Sequence, residues 1–224
     1  MIKHIPNTLT CLNLITGGIG AIYIIRGDYH LAIYFVLISA LFDFFDGFAA
    51  RMLKVQSIIG KELDSLADMV SFGLVPALYM FRVLEEQTNI EHLPYYGLVI
   101  AAFSALRLAK FNVDDRQSDQ FIGLPTPANT IMITSLTFLP PSWEISLIAS
   151  IIIITASSLL LIANIPMIAL KFKSFGWKGN ELRFILILSI IILGVLFGIN
   201  SLPFVIPLYI ALSLIGNLIP KKVV

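Results

Sequence analysis

The chain has 224 residues, 58% of them hydrophobic and only 13% charged, and its mean hydropathy is +0.91. A soluble domain carries about a quarter charged residues. Too few polar side chains are present to cover a water-facing surface, so the composition excludes an ordinary soluble fold and calls for lipid as solvent. A formal net charge of +1 implies no nucleic-acid partner, and the single Cys11 excludes an intramolecular disulfide framework.

Eight apolar runs are long enough to be read as membrane spans, at residues 5–25, 31–50, 63–81, 95–111, 126–139, 145–167, 184–199 and 202–219. The fifth is the shortest. The first follows Lys3 and His4 and so resembles a signal peptide. No small-x-small cleavage site follows, and Asn7, Thr10 and Asn13 interrupt the apolar stretch, so it is expected to be a retained span. Backbone groups in lipid must be satisfied internally, and runs of this length suit helices better than barrel strands. The expectation is an all-α, polytopic membrane protein of about eight transmembrane helices. It forms a single domain over residues 1–224, with no internal repeat or interdomain linker.

The connections orient the spans. If the chain starts in the cytoplasm and alternates, the inner side receives Lys3, Arg51, Lys54, Lys61, Arg107, Lys110, Arg116, Lys171, Lys173, Lys178, Arg183, Lys221 and Lys222. The outer side receives only Arg26 and Arg82 of the fifteen Lys and Arg residues. That split follows the positive-inside rule with both termini cytoplasmic. Asp28, Glu85, Glu86, Glu91 and Glu144 fall outside.

Four carboxylates break the apolar pattern. Asp43 and Asp46 lie near the inner end of the second span, and helical periodicity puts them on one stripe with Gly47 and Ala50. Asp64 and Asp68 sit at the start of the third span, four residues apart and hence on one face. The short connection between these spans brings the two faces together. Four carboxylates in one place repel, and an unpaired charge at membrane depth costs at least about 2.5–3.5 kcal/mol. Arg51 cannot neutralise all four. A hard divalent cation with oxygen ligands, Mg²⁺ or Mn²⁺, can, and this suggests metal-assisted phosphoryl chemistry. The alternative is a set of solvated carboxylates at a helix end. The alternative for Gly47 and Ala50 is close helix packing rather than access for a nucleotide. Gly60 suits the turn into the third span.

Asp43-x-x-Asp46-Gly47-x-x-Ala50-Arg51, then eight intervening residues, then Gly60-x-x-x-Asp64-x-x-x-Asp68, resembles the full signature of the CDP-alcohol phosphatidyltransferases. The segments starting at Pro6 (with Thr10 and Asn13), at Asp64 (through Pro76-Ala77), at Arg107 (with Lys110 and Asn112) and at Phe121 (Gly123-Leu-Pro125-Thr126-Pro127-Ala128) are similar to the phosphatidylserine synthase branch. The resemblance covers residues 5–128, and the spans over 145–219 are additional. It implies a homodimeric membrane enzyme that transfers a phosphatidyl group from CDP-diacylglycerol, or an ether-lipid equivalent, to L-serine at a cytoplasm-facing site in the cell membrane.

By the same resemblance Asp43, Asp46, Asp64 and Asp68 hold the metal, and Asp68 is also the general base. Thr10, Asn13, Asp43, Gly47, Ala50, Arg51 and Gly60 bind the CDP moiety, although Thr10 and Asn13, one turn apart in a span, also suit hydrogen bonding between helices. Arg107, Lys110 and Asn112 bind serine or the lipid phosphate, although flanking positive charge also explains the two cations. Two alternatives stay open: another acceptor (glycerol 3-phosphate, inositol or its phosphate), and an ion- or proton-coupled transporter using the carboxylates as its pathway.

Overall fold

The structure, a computed structural model, describes residues 4–55, 57–114, 121–169, 176–177 and 179–218. Lys3, Arg116, Lys171, Lys173, Lys178, Lys221 and Lys222, used above to orient the chain, lie outside the described residues.

The described chain is built from helices: α1 (Ile5–Ile25), α2 (Tyr29–Met52), α3 (Ile58–Asp68), α4 (Val75–Gln87), α5 (Val99–Val113), α6 (Thr126–Thr134), α7 (Leu147–Ile162), α8 (Glu181–Phe197) and α9 (Leu202–Leu218). Among the described residues five helical stretches are long and apolar enough to cross a membrane: Ile5–Ile25, Tyr29–Met52, Ile58–Gln87, Leu93–Val113 and Glu181–Leu218. At about 1.5 Å per residue, α1 alone measures about 31 Å, the thickness of a hydrocarbon core. The protein is thus an all-α, polytopic membrane protein.

Local sequence sets the helix boundaries. Asp28 caps α2 by accepting from Leu31 N at 3.1 Å, Ser57 caps α3 through Gly60 N at 3.0 Å, and Ser146 caps α7 through Ala149 N at 3.3 Å. The 38-residue stretch Glu181–Leu218 folds back on itself at Gly198, whose φ of 57° stops α8. The base of the resulting hairpin is tight, because a Cβ on Gly216 would lie 2.7 Å from a methyl of Leu182.

The structure departs from the sequence expectation in three places. The third span starts at Ile58 and ends at Gln87, and it passes through a π-helical segment, Met69–Leu74, directly after Asp68. Pro76 follows this segment and has no N–H to offer the carbonyl one turn back. That carbonyl, of Phe72, instead accepts from Thr130 Oγ1 at 2.8 Å. The sixth run is helical only over Leu147–Ile162; Pro166–Met167 instead pairs antiparallel with Phe121–Ile122 in a two-stranded ladder (β2 with β1). The fifth run gives only α6 and a 3₁₀ turn, Ser135–Phe138.

Hydrogen bonds fix which ends lie together. α1 and α2 run antiparallel, with Thr10 on Asp46 and Thr16 on Ser39. α1 and α3 run parallel, with Asn7 beside Gly60 and Asn13 on Asp68. α5 descends beside α3, so Asn112 reaches Ser65. The end of α7 meets the segment before α6 through Leu124 N to Leu160 O and Gly123 N to Ile165 O, both 2.9 Å. The starts of α1, α3, α6 and α8 and the ends of α2, α5, α7 and α9 therefore gather at one end of the bundle. Arg51, Lys54, Lys61, Arg107, Lys110 and Arg183 share that end, whereas Arg26 and Arg82 lie at the other, where Arg82 pairs with Glu85 and Glu86.

The main apolar core fills the opposite half. It contains Ile24, Val36, Val75, Met80, Leu84, Ile100, Ile133 and Ile154, all fully buried. Outward-facing side chains are large and apolar, with Val195 80% and Leu196 67% exposed, as a lipid-facing surface requires. Gly123 secures the α6 entry: its φ is +78°, and a Cβ there would stand 2.5 Å from Leu161 O. Gly123→Ala should therefore lower the thermal midpoint of the detergent-purified protein, on the scale of an overpacked core site, about 1–3 kcal/mol. An unchanged midpoint would contradict this packing.

Candidate active site

The carboxylate-bearing helices meet at the charged end of the bundle. One oxygen from each of Asp43, Asp64 and Asp68 lies within 4.8 Å of the others. Asp68 is buried, and Asp43 and Asp64 are half-buried. Asp46, buried beside them, turns toward α1, and its Oδ2 accepts from Thr10 Oγ1 at 2.7 Å. Asp68 Oδ1 accepts from Asn13 Nδ2 at 3.2 Å. Asp64 Oδ1 is fully buried and has no hydrogen-bond donor among the described residues.

No Lys or Arg nitrogen among the described residues comes within 4.0 Å of any of the four carboxylates. Clustered acids sunk into a membrane protein without a cationic partner are strongly unfavourable. An all-oxygen donor set, a shared focus and an orphaned buried oxygen on Asp64 are what a hard divalent cation requires. The residues present fit such an ion, with Asp43, Asp64 and Asp68 as the nearest ligands and Asp46 adjacent.

Beside the cluster lies a cavity of about 650 Å³. Asp46, Gly47 and Ala50 of α2, Pro6, Asn7 and Thr10 of α1, and Ser57, Gly60, Lys61 and Asp64 around the start of α3 line it. Its volume suits a nucleotide-sized ligand. The missing side chain of Gly47 matters here, because a Cβ would lie 3.5 Å from an Arg51 guanidinium nitrogen. Arg51 thus folds over Gly47 beside the cavity. Gly60 permits another close approach, since its Cβ would lie 3.2 Å from Asn7 Oδ1 and 3.1 Å from Ser57 Oγ.

Of the residues expected at the site, Thr10, Asp46, Gly47, Ala50, Gly60 and Asp64 line this cavity. Asn13 is fully buried with its amide on Asp68 and is not among the lining residues. Arg107 is also buried. Its Nε donates to Leu124 O at 2.8 Å, and its guanidinium lies 5.5 Å from the Phe111 ring centre. No carboxylate among the described residues lies within 4.0 Å of it.

Lys110 and Asn112 have protein partners. Lys110 Nζ donates to Asn164 Oδ1 at 2.8 Å, tying α5 to the segment after α7. Asn112 Nδ2 donates to Ser65 Oγ at 2.8 Å, and its carbonyl accepts from Lys61 Nζ at 2.7 Å. These two side chains hold the helices around the site together. Sequence reasoning missed Lys61, Ser65 and Asn7. The only local signal for the first two was their place between Gly60 and Asp68, on the helix that presents the carboxylates.

A polytopic helical membrane protein with a three-carboxylate focus beside a nucleotide-sized cavity defines a class: membrane-embedded enzymes that handle phosphate esters through a divalent cation. A model of the CDP-alcohol phosphatidyltransferase family matches residues 3–170, and the chain belongs to that family. Similar proteins include the CDP-diacylglycerol–serine O-phosphatidyltransferase of Bacillus subtilis, 34% identical over 140 residues that cover 61% of this chain and 76% of the relative. The archaetidylserine synthase of Methanothermobacter thermautotrophicus is 33% identical, over 70% of this chain and 66% of its own. The CDP-diacylglycerol–serine O-phosphatidyltransferase of Helicobacter pylori (strain 26695) is 28% identical across 94% of this chain and 89% of its own. The last alignment extends well beyond residue 170, so similarity is not confined to the part that carries the signature.

Proposed function

We propose that this enzyme transfers the phosphatidyl group of CDP-diacylglycerol, or of its ether-lipid counterpart, to the hydroxyl of L-serine and releases CMP. The observation that carries the proposal is the oxygen focus of Asp43, Asp64 and Asp68 beside a cavity walled by Asp46, Gly47, Ala50 and Gly60. The acceptor rests on the relatives, whose names share serine while differing in the lipid.

In this reading the CDP moiety occupies the cavity. Gly47, Ala50 and Gly60 give its backbone room, Thr10 and Asp46 form its inner wall, and Arg51 pairs a phosphate oxygen. Mg²⁺ or Mn²⁺ on Asp43, Asp64 and Asp68, with Asp46 adjacent, neutralises diphosphate charge when bound. Asp68 accepts the serine hydroxyl proton as that oxygen attacks the lipid-side phosphorus. The phosphorus–oxygen bond to CMP breaks, and CMP leaves with the bonding pair. The hydroxyl of Ser65, within the signature, donates to Lys61 O and accepts from Asn112 rather than bonding a carboxylate, which favours direct transfer.

Arg107 binds the acceptor carboxylate or the lipid phosphate. A buried guanidinium with no carboxylate within 4.0 Å among the described residues is suited to an oxyanion ligand. The diacyl tails stay in the bilayer while serine and CMP exchange with water. The excess of Lys and Arg at the site end supports a cytoplasmic active site and cytoplasmic termini, and in this reading the chain crosses the cell membrane eight times. A second copy of the chain is the expected partner, by family resemblance.

Purified protein supplied with CDP-diacylglycerol, Mn²⁺ and each candidate alcohol tests the acceptor. Serine should give CMP release at least tenfold above glycerol 3-phosphate, inositol and inositol phosphate. A faster rate with any of these would reassign the acceptor while leaving the chemistry in place. Ion flux through liposomes without CMP formation would replace the enzyme by a transporter.

A further inference from the structure

Below the carboxylates runs a buried polar network that the transfer reaction does not directly use. Three hydroxyls gather at the Asn13 carbonyl: Ser71 Oγ donates to it at 3.0 Å, and Ser39 Oγ at 3.2 Å and Thr16 Oγ1 at 3.0 Å stand within donor distance of it. Thr16 and Ser39 also share a hydrogen bond of 2.7 Å. Each hydroxyl has one proton and a carbonyl oxygen two lone pairs, so Ser71 and one hydroxyl of the Thr16–Ser39 pair are enough to fill it. Ser39, Ser71 and Asn13 are fully buried. Ser39 lies one helical turn before Asp43 on α2, and Ser71 lies three residues after Asp68 in the π-helical segment.

Two features indicate that the contact is built rather than incidental. Gly17 faces Ser71 so closely that a Cβ would lie 2.0 Å from Ser71 Oγ and 2.7 Å from its Cα. Only glycine lets the π segment reach α1. The π-helical turn itself begins directly after Asp68, and such turns re-aim side chains at functional sites. The Asn13 side chain, one bond from this anchored backbone, donates to Asp68 Oδ1. The opposite amide orientation would set two acceptors face to face.

We infer that Asn13 is a positioning residue for Asp68, and that Ser39 and Ser71 act through Asn13 by fixing its backbone between the two carboxylate-bearing helices. Asn13 thereby sets the direction of the Asp68 carboxylate, whose other oxygen would be left for the acceptor hydroxyl and the cation. This rests on the reading of Asp68 as proton acceptor.

The experiment is a double-mutant cycle on the purified enzyme with Asn13→Ala, Ser39→Ala, Ser71→Ala and the two doubles that include Asn13→Ala. Rates are read beside Mn²⁺ affinity, the latter by electron paramagnetic resonance without lipid substrate. A misplacement of about 1 Å costs on the order of 10²-fold, so Asn13→Ala should lower kcat by roughly that factor and weaken Mn²⁺. Each serine variant should lower kcat several-fold, with KM for the CDP-lipid within twofold of the parent. In the Asn13→Ala background neither serine substitution should lower kcat or Mn²⁺ affinity further. Losses that multiply in the doubles would overturn the inference, because the hydroxyls would then act as ordinary packing. So would an Asn13→Ala enzyme with parental kcat and Mn²⁺ affinity. Should Ser71→Ala fail to fold, Ser39→Ala completes the cycle from the other helix. An active Asp68→Asn enzyme would instead defeat the base assignment, while the Mn²⁺ measurements would still report on Asn13.

Discussion

Asp68→Asn is expected to lower serine-dependent CMP release by roughly 10²–10⁴-fold, the usual contribution of a positioned general acid–base group, while CDP-lipid binding survives. The substitution preserves shape and one oxygen donor but removes the capacity to take a proton at neutral pH. Asp68 is buried and accepts from Asn13, so an amide there keeps its packing; a rotated amide can still present oxygen to Asn13 Nδ2. The cavity that would receive the nucleotide is lined by other residues, Asp46 and Asp64 among them. The two functions therefore separate: kcat collapses, and the dissociation constant for CDP-diacylglycerol, measured with Ca²⁺ in place of the working cation, moves by less than about threefold. An Asp68→Asn enzyme turning over within threefold of the parent would remove Asp68 as the base.

The carboxylate cluster was legible in the sequence because most of its geometry is local. Asp64 and Asp68 share a face by helical spacing, as do Asp43 and Asp46, and a connection of only a few residues between α2 and α3 leaves the two faces little choice but to meet. The distribution of Lys and Arg likewise placed the helix ends, because lipid forces each traverse to alternate.

What escaped the sequence is set by groups far apart along the chain. Nothing near Met69–Leu74 announces a π-helical segment; its hydrogen-bond partners, the Asn13 carbonyl and the Thr130 hydroxyl, lie 58 residues away on either side. Lys110 and Asn112 look like ligand-binding groups in the sequence, since flanking polar residues of either role have the same composition. Only the fold shows that Asn164 and Ser65 occupy them. The run 145–167 reads as one apolar span, yet its last residues leave the helix to pair with Phe121–Ile122, a contact no local periodicity encodes.

Asp64→Ala is expected to have opposite effects on metal-free and metal-loaded protein. Without a cation, Asp43, Asp64 and Asp68 crowd their oxygens within 4.8 Å, and Asp64 Oδ1 is buried with no donor among the described residues. Deleting that carboxylate removes like-charge repulsion and an unsatisfied buried acceptor, whose desolvation costs about 1–3 kcal/mol. The chelator-treated variant should therefore melt at or above the temperature of the chelator-treated parent. A cation that binds the folded state stabilises it by about 2.7 kcal/mol at one hundred times its dissociation constant. Adding Mn²⁺ should accordingly raise the melting temperature of the parent by several degrees and leave Asp64→Ala nearly unmoved. CMP release should fall by more than about 10²-fold in the variant at any Mn²⁺ concentration. Asp43→Ala should behave in the same way, because it contributes to the same focus from the other helix. A variant destabilised in chelator, yet still stabilised by Mn²⁺ as much as the parent, would show that Asp64 serves the packing of α3 and that the cation binds elsewhere.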